Sequence, residues 1–203
     1  MEQKTFYHCI EKEGQAMFKD RGSQFIGFAF PISAAENFKK KLDALKKEHP
    51  KANHHCFAYR IGTDGNQFRV NDDGEPSGSA GKPILGQIDS RELTNTAIVV
   101  VRYFGGTLLG VPGLINAYKT TAALVLQTIP IIQKPIEVHY RLQFDYTLMN
   151  DVMQLLKAGN CSIERQEIQL FCMYEVGIPV NRLEEVLYRL KDLHQVLVEK
   201  VHT

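Results

Sequence analysis

Apolar and polar positions along the chain recur with periods of two and of about 3.6, the signatures of strand and amphipathic helix. Gln24–Ile32 (QFIGFAFPI) reads as a strand entered through a polar turn at Lys19–Ser23. Residues 33–48 read as a helix, with Ser33 as N-cap, Glu36 three positions on in a capping-box spacing, and Ala35, Phe38, Leu42 and Leu45 as its apolar stripe. The lysines at 39, 40, 41, 46 and 47 form a solvated face, and Pro50 closes the helix. A strand at 55–61 turns through Gly62–Asn66 into a second at 67–70, a hairpin. Asn71–Gly81 (NDDGEPSGSAG) breaks every periodicity, and a helix resumes near Ser79 and runs to about Arg91. Residues 96–103 (TAIVVVRY) are the strongest buried-strand signal, followed by FGGTLLGVPG and an apolar helix over roughly 114–129.

Pro130 and Pro135 bracket a short junction that we read as a domain boundary. Beyond it, Ile136, Val138, Tyr140, Leu142 and Phe144 alternate as a strand, and Leu148, Val152, Leu155 and Leu156 follow helical spacing up to Gly159–Asn160. Strands near 161–168 and 170–178, a helix marked by Leu183, Val186, Leu187 and Leu190, and a strand at Gln195–Glu199 complete the order β-α-β-β-α-β. That order is the ferredoxin-like plan. The expectation is an α+β protein of two domains, 1–133 and 134–203.

The bulk composition of the 203 residues is that of an ordinary globular protein, 44% hydrophobic and 23% charged. The formal charge is +1, split as 16 basic against 13 acidic residues over 1–133 and 8 against 10 over 134–203. This excludes a strong global nucleic-acid signal. The four cysteines form no CxxC pair, and the opening MEQKTFYHCIEKEG has no apolar leader core. A cytoplasmic protein with reduced thiols and no membrane span is expected.

Candidate chemistry concentrates where ten of the fifteen glycines lie, between 62 and 113. In the first loop, Asp72, Asp73 and Glu75 present three carboxylates within four positions. They suit a hard divalent cation, or an Asx-type ordering of the loop. Ser77, Ser79 and Lys82 are candidates for a phosphate at the following helix, although SGSAGK is not a P-loop. In the second loop, Arg102 ends a buried strand and needs a partner. That partner is a carboxylate of the first loop or a bound anion. Tyr103 and Phe104 are core residues or a stacking surface for a base, Gly105 and Gly106 are candidate binding positions that let the loop approach a ligand, and Lys119 is a further anion contact. His54 and Cys56 share one side of their strand and are possible supporting residues; His55 faces the other side. No nucleophile elbow, HExxH or dinucleotide fingerprint occurs. No catalytic residue and no cofactor are assigned, and the metal question stays open.

These residues carry a resemblance. Asp72–Gly81 (DDGEPSGSAG) with Pro83, then VVRYFGG at 100–106, Leu109-Gly110, Gly113-Leu114 and Ala117-Tyr118, strongly resemble the YigZ/IMPACT family. His54, Cys56 and Ala58 resemble its H-x-C-x-A stretch, and Ser23–Ile26 its early strand. The resemblance implies a first domain with the left-handed βαβ fold of the second domain of a ribosomal small-subunit protein. It implies a second domain like the ferredoxin-like last module of the ribosomal translocase. Its eukaryotic relatives regulate translation through a stress-kinase pathway and carry an extra N-terminal recognition domain, so that mechanism does not transfer here. Pro112, Lys119-Thr120 and Gln24 depart from the family pattern, Pro112 standing where a second glycine is usual.

The leading expectation is a non-enzymatic RNA- or ribosome-associated protein with a translation-related role, Lys82 and Arg102 contacting phosphate. The alternatives are a small-ligand or phosphate-binding enzyme sited between 72–82 and 102–110, and a protein-interaction adaptor. Expected partners are the ribosome or structured RNA, or a protein, with the chain a monomer or weak dimer.

Overall fold

The computed structural model describes residues 4–201, and the protein is α+β. The chain divides into two compact units, residues 7–134 and residues 135–201 joined by residues 4–6.

The first unit is built on a five-stranded antiparallel sheet. In chain order its strands are β2 (Gly14–Asp20), β3 (Ser23–Pro31), β4 (His54–Ile61), β5 (Gln67–Asn71) and β6 (Thr96–Tyr103), arranged β2-β3-β6-β4-β5. Central β6 explains its own sequence: Ala97, Val99 and Val101 face one side, Ile98 and Val100 the other, and all are covered. A strand buried on both faces reads as a continuous apolar run. Helix α1 (Ala35–Glu48) covers one face, setting Phe38 and Leu45 on Ile26, Phe57 and Tyr59. Helices α2 (Gly81–Asp89) and α3 (Gly110–Gln127) cover the other, with Ile84, Ile88, Leu114 and Val125 in one cluster with Phe25, Cys56 and Ala58. A methyl at Gly27 of β3 would lie 2.9 Å from the Thr121 methyl, so its absence lets α3 approach the sheet.

Several boundaries differ from the sequence reading. Ser33 is not the N-cap of α1. The Ile32 N–H is still held by the Asn95 carbonyl at 2.9 Å, which keeps the chain extended past β3. The cap falls on Ala34 without a side-chain bond, and the Ser33 hydroxyl meets Asn37 Oδ1 at 3.2 Å. Helix α3 begins at Gly110, four residues early, so Pro112 sits in its first turn, where a missing N–H costs no helical bond. The Pro-bracketed junction is a strand, β7 (Ile131–Pro135), paired with β1 (Phe6–Ile10). Both β1 and β2 escaped the sequence reading, although Ala16 and Phe18 alternate with exposed Gln15, Met17 and Lys19.

The second unit runs β8 (Glu137–Asp145), α4 (Met149–Ala158), β9 (Ser162–Ile168), β10 (Phe171–Pro179), α5 (Leu183–Asp192) and β11 (Leu197–Lys200). Its sheet is antiparallel in the order β11-β8-β10-β9. Leu142, Phe144, Cys172, Tyr174 and Val176 pack on Val152, Leu156, Val186 and Leu190 of the two helices. The alternate residues Arg141, Gln143 and Met173 are exposed, which gives these strands their period of two. Among the described residues no helix is long and apolar enough to cross a membrane.

Candidate functional site

The glycine-rich loops meet at the end of β6. In the sheet register Arg102 lies between Phe25 of β3 and His54 of β4, and paired residues share a face, here the one covered by α2 and α3. Arg102 is only 5% exposed. Its Nη1 contacts Glu75 Oε1 at 2.5 Å, Nη2 lies 3.5 Å from the Ser23 hydroxyl, and the guanidinium carbon stands 5.4 Å from the Phe25 ring centre. Glu75 is also buried and accepts the Tyr118 hydroxyl at 2.8 Å, with His54 Nε2 at 3.8 Å. Of the two partners open to Arg102, the first-loop carboxylate is the one found. The guanidinium is enclosed and paired with Glu75, its Nε buried without a partner among the described residues, so little of it is open to the expected phosphate.

The three carboxylates diverge. Asp72 accepts three backbone N–H groups: Gly78 at 2.8 Å, Ala80 at 3.0 Å and Gly81 at 2.8 Å. Burial opposes its charge, but those three bonds together with the Lys82 charge outweigh burial and hold the carboxyl below its ordinary range. Asp73, at φ 44°, accepts the His55 N–H at 2.6 Å, and its carbonyl meets His54 Nδ1 at 2.8 Å. A carbonyl only accepts, so Nδ1 carries a proton. Glu75 serves Arg102 and Tyr118. Among the described residues no group of three His, Cys, Asp or Glu side chains is arranged to hold a metal ion. The loop-ordering reading of the acids is the one the geometry favours.

Cys56 and His54 do not form a catalytic pair. The Cys56 thiol donates to the Asp72 carbonyl at 3.0 Å and lies 3.3 Å from the Tyr118 hydroxyl. Burial pushes this thiol well above its usual range, the Tyr118 bond opposes that, and Glu75, Asp73 and Asp72 add to it. A thiol so held is not a thiolate at neutral pH. Burial likewise raises the Tyr118 phenol, and Cys56 and Glu75 reinforce the shift. The cluster therefore holds neutral hydroxyl and thiol groups around one ion pair, a structural knot beneath the loops.

Above it lies the exposed part. Tyr103 and Phe104 separate: Tyr103 is half-buried on the α1 side and bonds His49 Nδ1 at 2.9 Å. Phe104 is 45% exposed; Asn53 Oδ1 accepts its N–H at 2.8 Å, and Arg102 lies 5.7 Å from its ring centre. A methyl on Gly105 would sit 1.8 Å from the Gly22 carbonyl carbon, and the Gly105 N–H bonds Ser23 at 3.2 Å, which pins the second loop to the turn between β2 and β3. Gly106 follows at φ 85°. Ser77, Lys82 and Lys119 are exposed, whereas Ser79 is buried with its hydroxyl on the Pro76 carbonyl at 2.6 Å. Leu108 is 82% exposed, and Val111 and Ile115, four residues apart on α3, are also open to solvent. Ser23, Asn53 and Tyr118 were missed as site residues by sequence reasoning. Ser23 and Tyr118 stood in the family-like segments, while Asn53 carried no signal.

The Impact N-terminal domain model matches residues 21–126, which include both loops and the knot. The chain belongs to the IMPACT family. It is 34% identical over 172 residues to the IMPACT family member YigZ of Escherichia coli, covering 84% of each chain. It is 36% identical over 167 residues to an IMPACT family member of Haemophilus influenzae, covering 80% of each. A solved structure described as a hypothetical protein superposes with a TM-score of 0.74 at 28% identity, over 98% of this chain and 99% of that one. The family match and these relatives agree on the chain's membership, and the interlocked loops lie inside the matched IMPACT segment.

Proposed function

We propose that this IMPACT-family chain is a non-enzymatic, ribosome- or RNA-associated protein with a translation-related role, and that its contact surface is the rim of the β6 end. The observation that carries the reading is Phe104. A large aromatic ring is held out to solvent by a backbone anchor on Asn53 and backed by the Arg102 guanidinium. An exposed ring suits base stacking, and exposed cations of the same unit suit phosphate. Lys82 and Lys119 are the exposed cations assigned here. The enclosed thiol and engaged carboxylates speak against a nucleophile or a metal at this position. In the same reading the first unit has the left-handed βαβ fold of a ribosomal small-subunit protein domain. The second is the ferredoxin-like counterpart of the translocase's last module, matching its β-α-β-β-α-β order. That part rests on fold analogy.

The test is binding of the full chain to purified ribosomes and to structured RNA as salt is raised. Lys82→Ala and Lys119→Ala are each expected to reduce the log–log salt slope by about 1. Unchanged affinity and slope in both variants would remove the surface from RNA contact. The exposed Leu108 favours a second reading, docking of a protein. Leu108→Ser separates the two: it leaves RNA affinity intact and weakens a protein contact.

A further inference from the structure

We propose that a second site, a cleft bounded by β1, the β3–α1 turn and β7, binds a small organic anion that carries an apolar body. The open cleft has a volume of about 680 Å³, within the size range of small-molecule sites. Cys9, Ile10 and Ile32 give it a buried apolar floor. Burial is the main cause that raises the Cys9 thiol, so that floor is uncharged at neutral pH. The polar lining is rich in donors. Lys41 is engaged by Glu13 at 2.5 Å and Lys134 by Glu11 at 2.8 Å. Lys40 also lines the cleft, and among the described residues it has no ion pair or hydrogen bond.

Two amides complete the set. Asn95 Oδ1 accepts the Gly62 N–H at 2.9 Å. A backbone N–H only donates, so this assignment of the amide is chemically fixed and leaves Nδ2 to donate elsewhere. Asn95 is itself locked, at φ 51° and with its carbonyl on the Ile32 N–H at 2.9 Å. Asn37 Oδ1 is taken by the Ser33 hydroxyl at 3.2 Å, which again leaves the NH₂ end. In both amides the oxygen already holds one hydrogen bond, and among the described residues the NH₂ end holds none. One unpaired cation and two amide donors over an apolar floor select an anion with a hydrophobic body, such as a phosphate monoester or a carboxylate. Asn95 precedes β6 and Phe104 follows it, so the eight residues of β6, roughly 30 Å from one flank to the other, separate this cleft from the proposed RNA surface. The two sites can be tested apart.

The experiment is a ¹H–¹⁵N NMR titration of the full chain with phenyl phosphate, with benzyl alcohol and inorganic phosphate as half-ligands. Saturable shifts are expected at Cys9, Ile32, Asn37, Lys40 and Asn95 and not at Phe104, with both half-ligands weaker. Lys40→Glu is expected to weaken binding roughly tenfold or more, the scale of one charge-assisted bond, while Lys40→Arg retains it. Lys40 is exposed, so the Lys40→Glu spectrum otherwise keeps its folded dispersion. No saturable shift up to about 10 mM phenyl phosphate, equal affinity in Lys40→Glu, or equal affinity for either half-ligand overturns the proposal.

Discussion

Nη1 of Arg102 and Oε1 of Glu75 stand 2.5 Å apart with both side chains closed to solvent. The pair joins the end of β6 to the Asp72–Gly81 loop, and Tyr118 ties α3 to the same carboxylate. Removing one member leaves the other charge buried and unpaired, which costs about 3–5 kcal/mol. Arg102→Met and Glu75→Gln are each expected to lower the unfolding free energy from urea titration by that scale, and the double variant Arg102→Met/Glu75→Leu to lose less than the two single losses summed. Single variants as stable as the parent would show that the pair contributes nothing.

Two glycines give opposite expectations. A methyl on Gly105 meets the Gly22 backbone at 1.8 Å, whereas one on Gly86, inside α2, meets nothing within 4 Å. Gly105→Ala is expected to displace the amide signals of Gly22 and Ser23 and to destabilise the first unit. Gly86→Ala is expected to stabilise it by up to about 1 kcal/mol through helix propensity. Thermal melts and amide spectra of the two variants check the contrast.

Asp72 links loop order to pH. Its folded pKa lies below the ordinary 3.8. Its contribution is therefore fully present above that value and is lost as pH falls through the lower folded pKa. Asp72→Asn is expected to be less stable than the parent from neutral pH down to about 5, with the gap narrowing below pH 4. A gap of constant size down to pH 2 contradicts this account of the three backbone bonds.

Thiol labelling reads the enclosed knot directly. Cys9, Cys56 and Cys172 are buried, and Cys161 is partly open with burial pushing its thiol up to about 11. In the native protein Cys161 is expected to react first and Cys56 to resist, with all four reacting in urea. Fast native labelling at Cys56, measured by mass spectrometry of peptides, would show an open site.

What could be read from the chain follows its physics. The run at 96–103 is apolar because β6 is covered on both faces, and the second unit alternates because one face of its sheet is open. Those elements were legible to within a residue or two. The edge strand β2 was overlooked because Ala16 and Phe18 are a short signal among polar neighbours, and β7 because its prolines suggested a linker. At the site, the loops and most of their residues were legible, but the division of labour was not. Sequence spacing could not show that Asp72, Asp73 and Glu75 point to three different partners, or that Tyr103 and Phe104 part to opposite sides. Asn53, which anchors Phe104, is an ordinary loop residue until the fold brings it to the end of β6.

The most direct test of the central claim is co-sedimentation of the full chain with purified ribosomes across a salt series, the parent against a triple Lys82→Ala, Phe104→Ala, Lys119→Ala variant of unchanged melting temperature. The account predicts saturable, salt-sensitive binding by the parent and a loss of at least about tenfold in the variant, since stacking alone is worth about 1–3 kcal/mol. Parent binding that is absent at low salt, or variant binding equal to that of the parent, contradicts it.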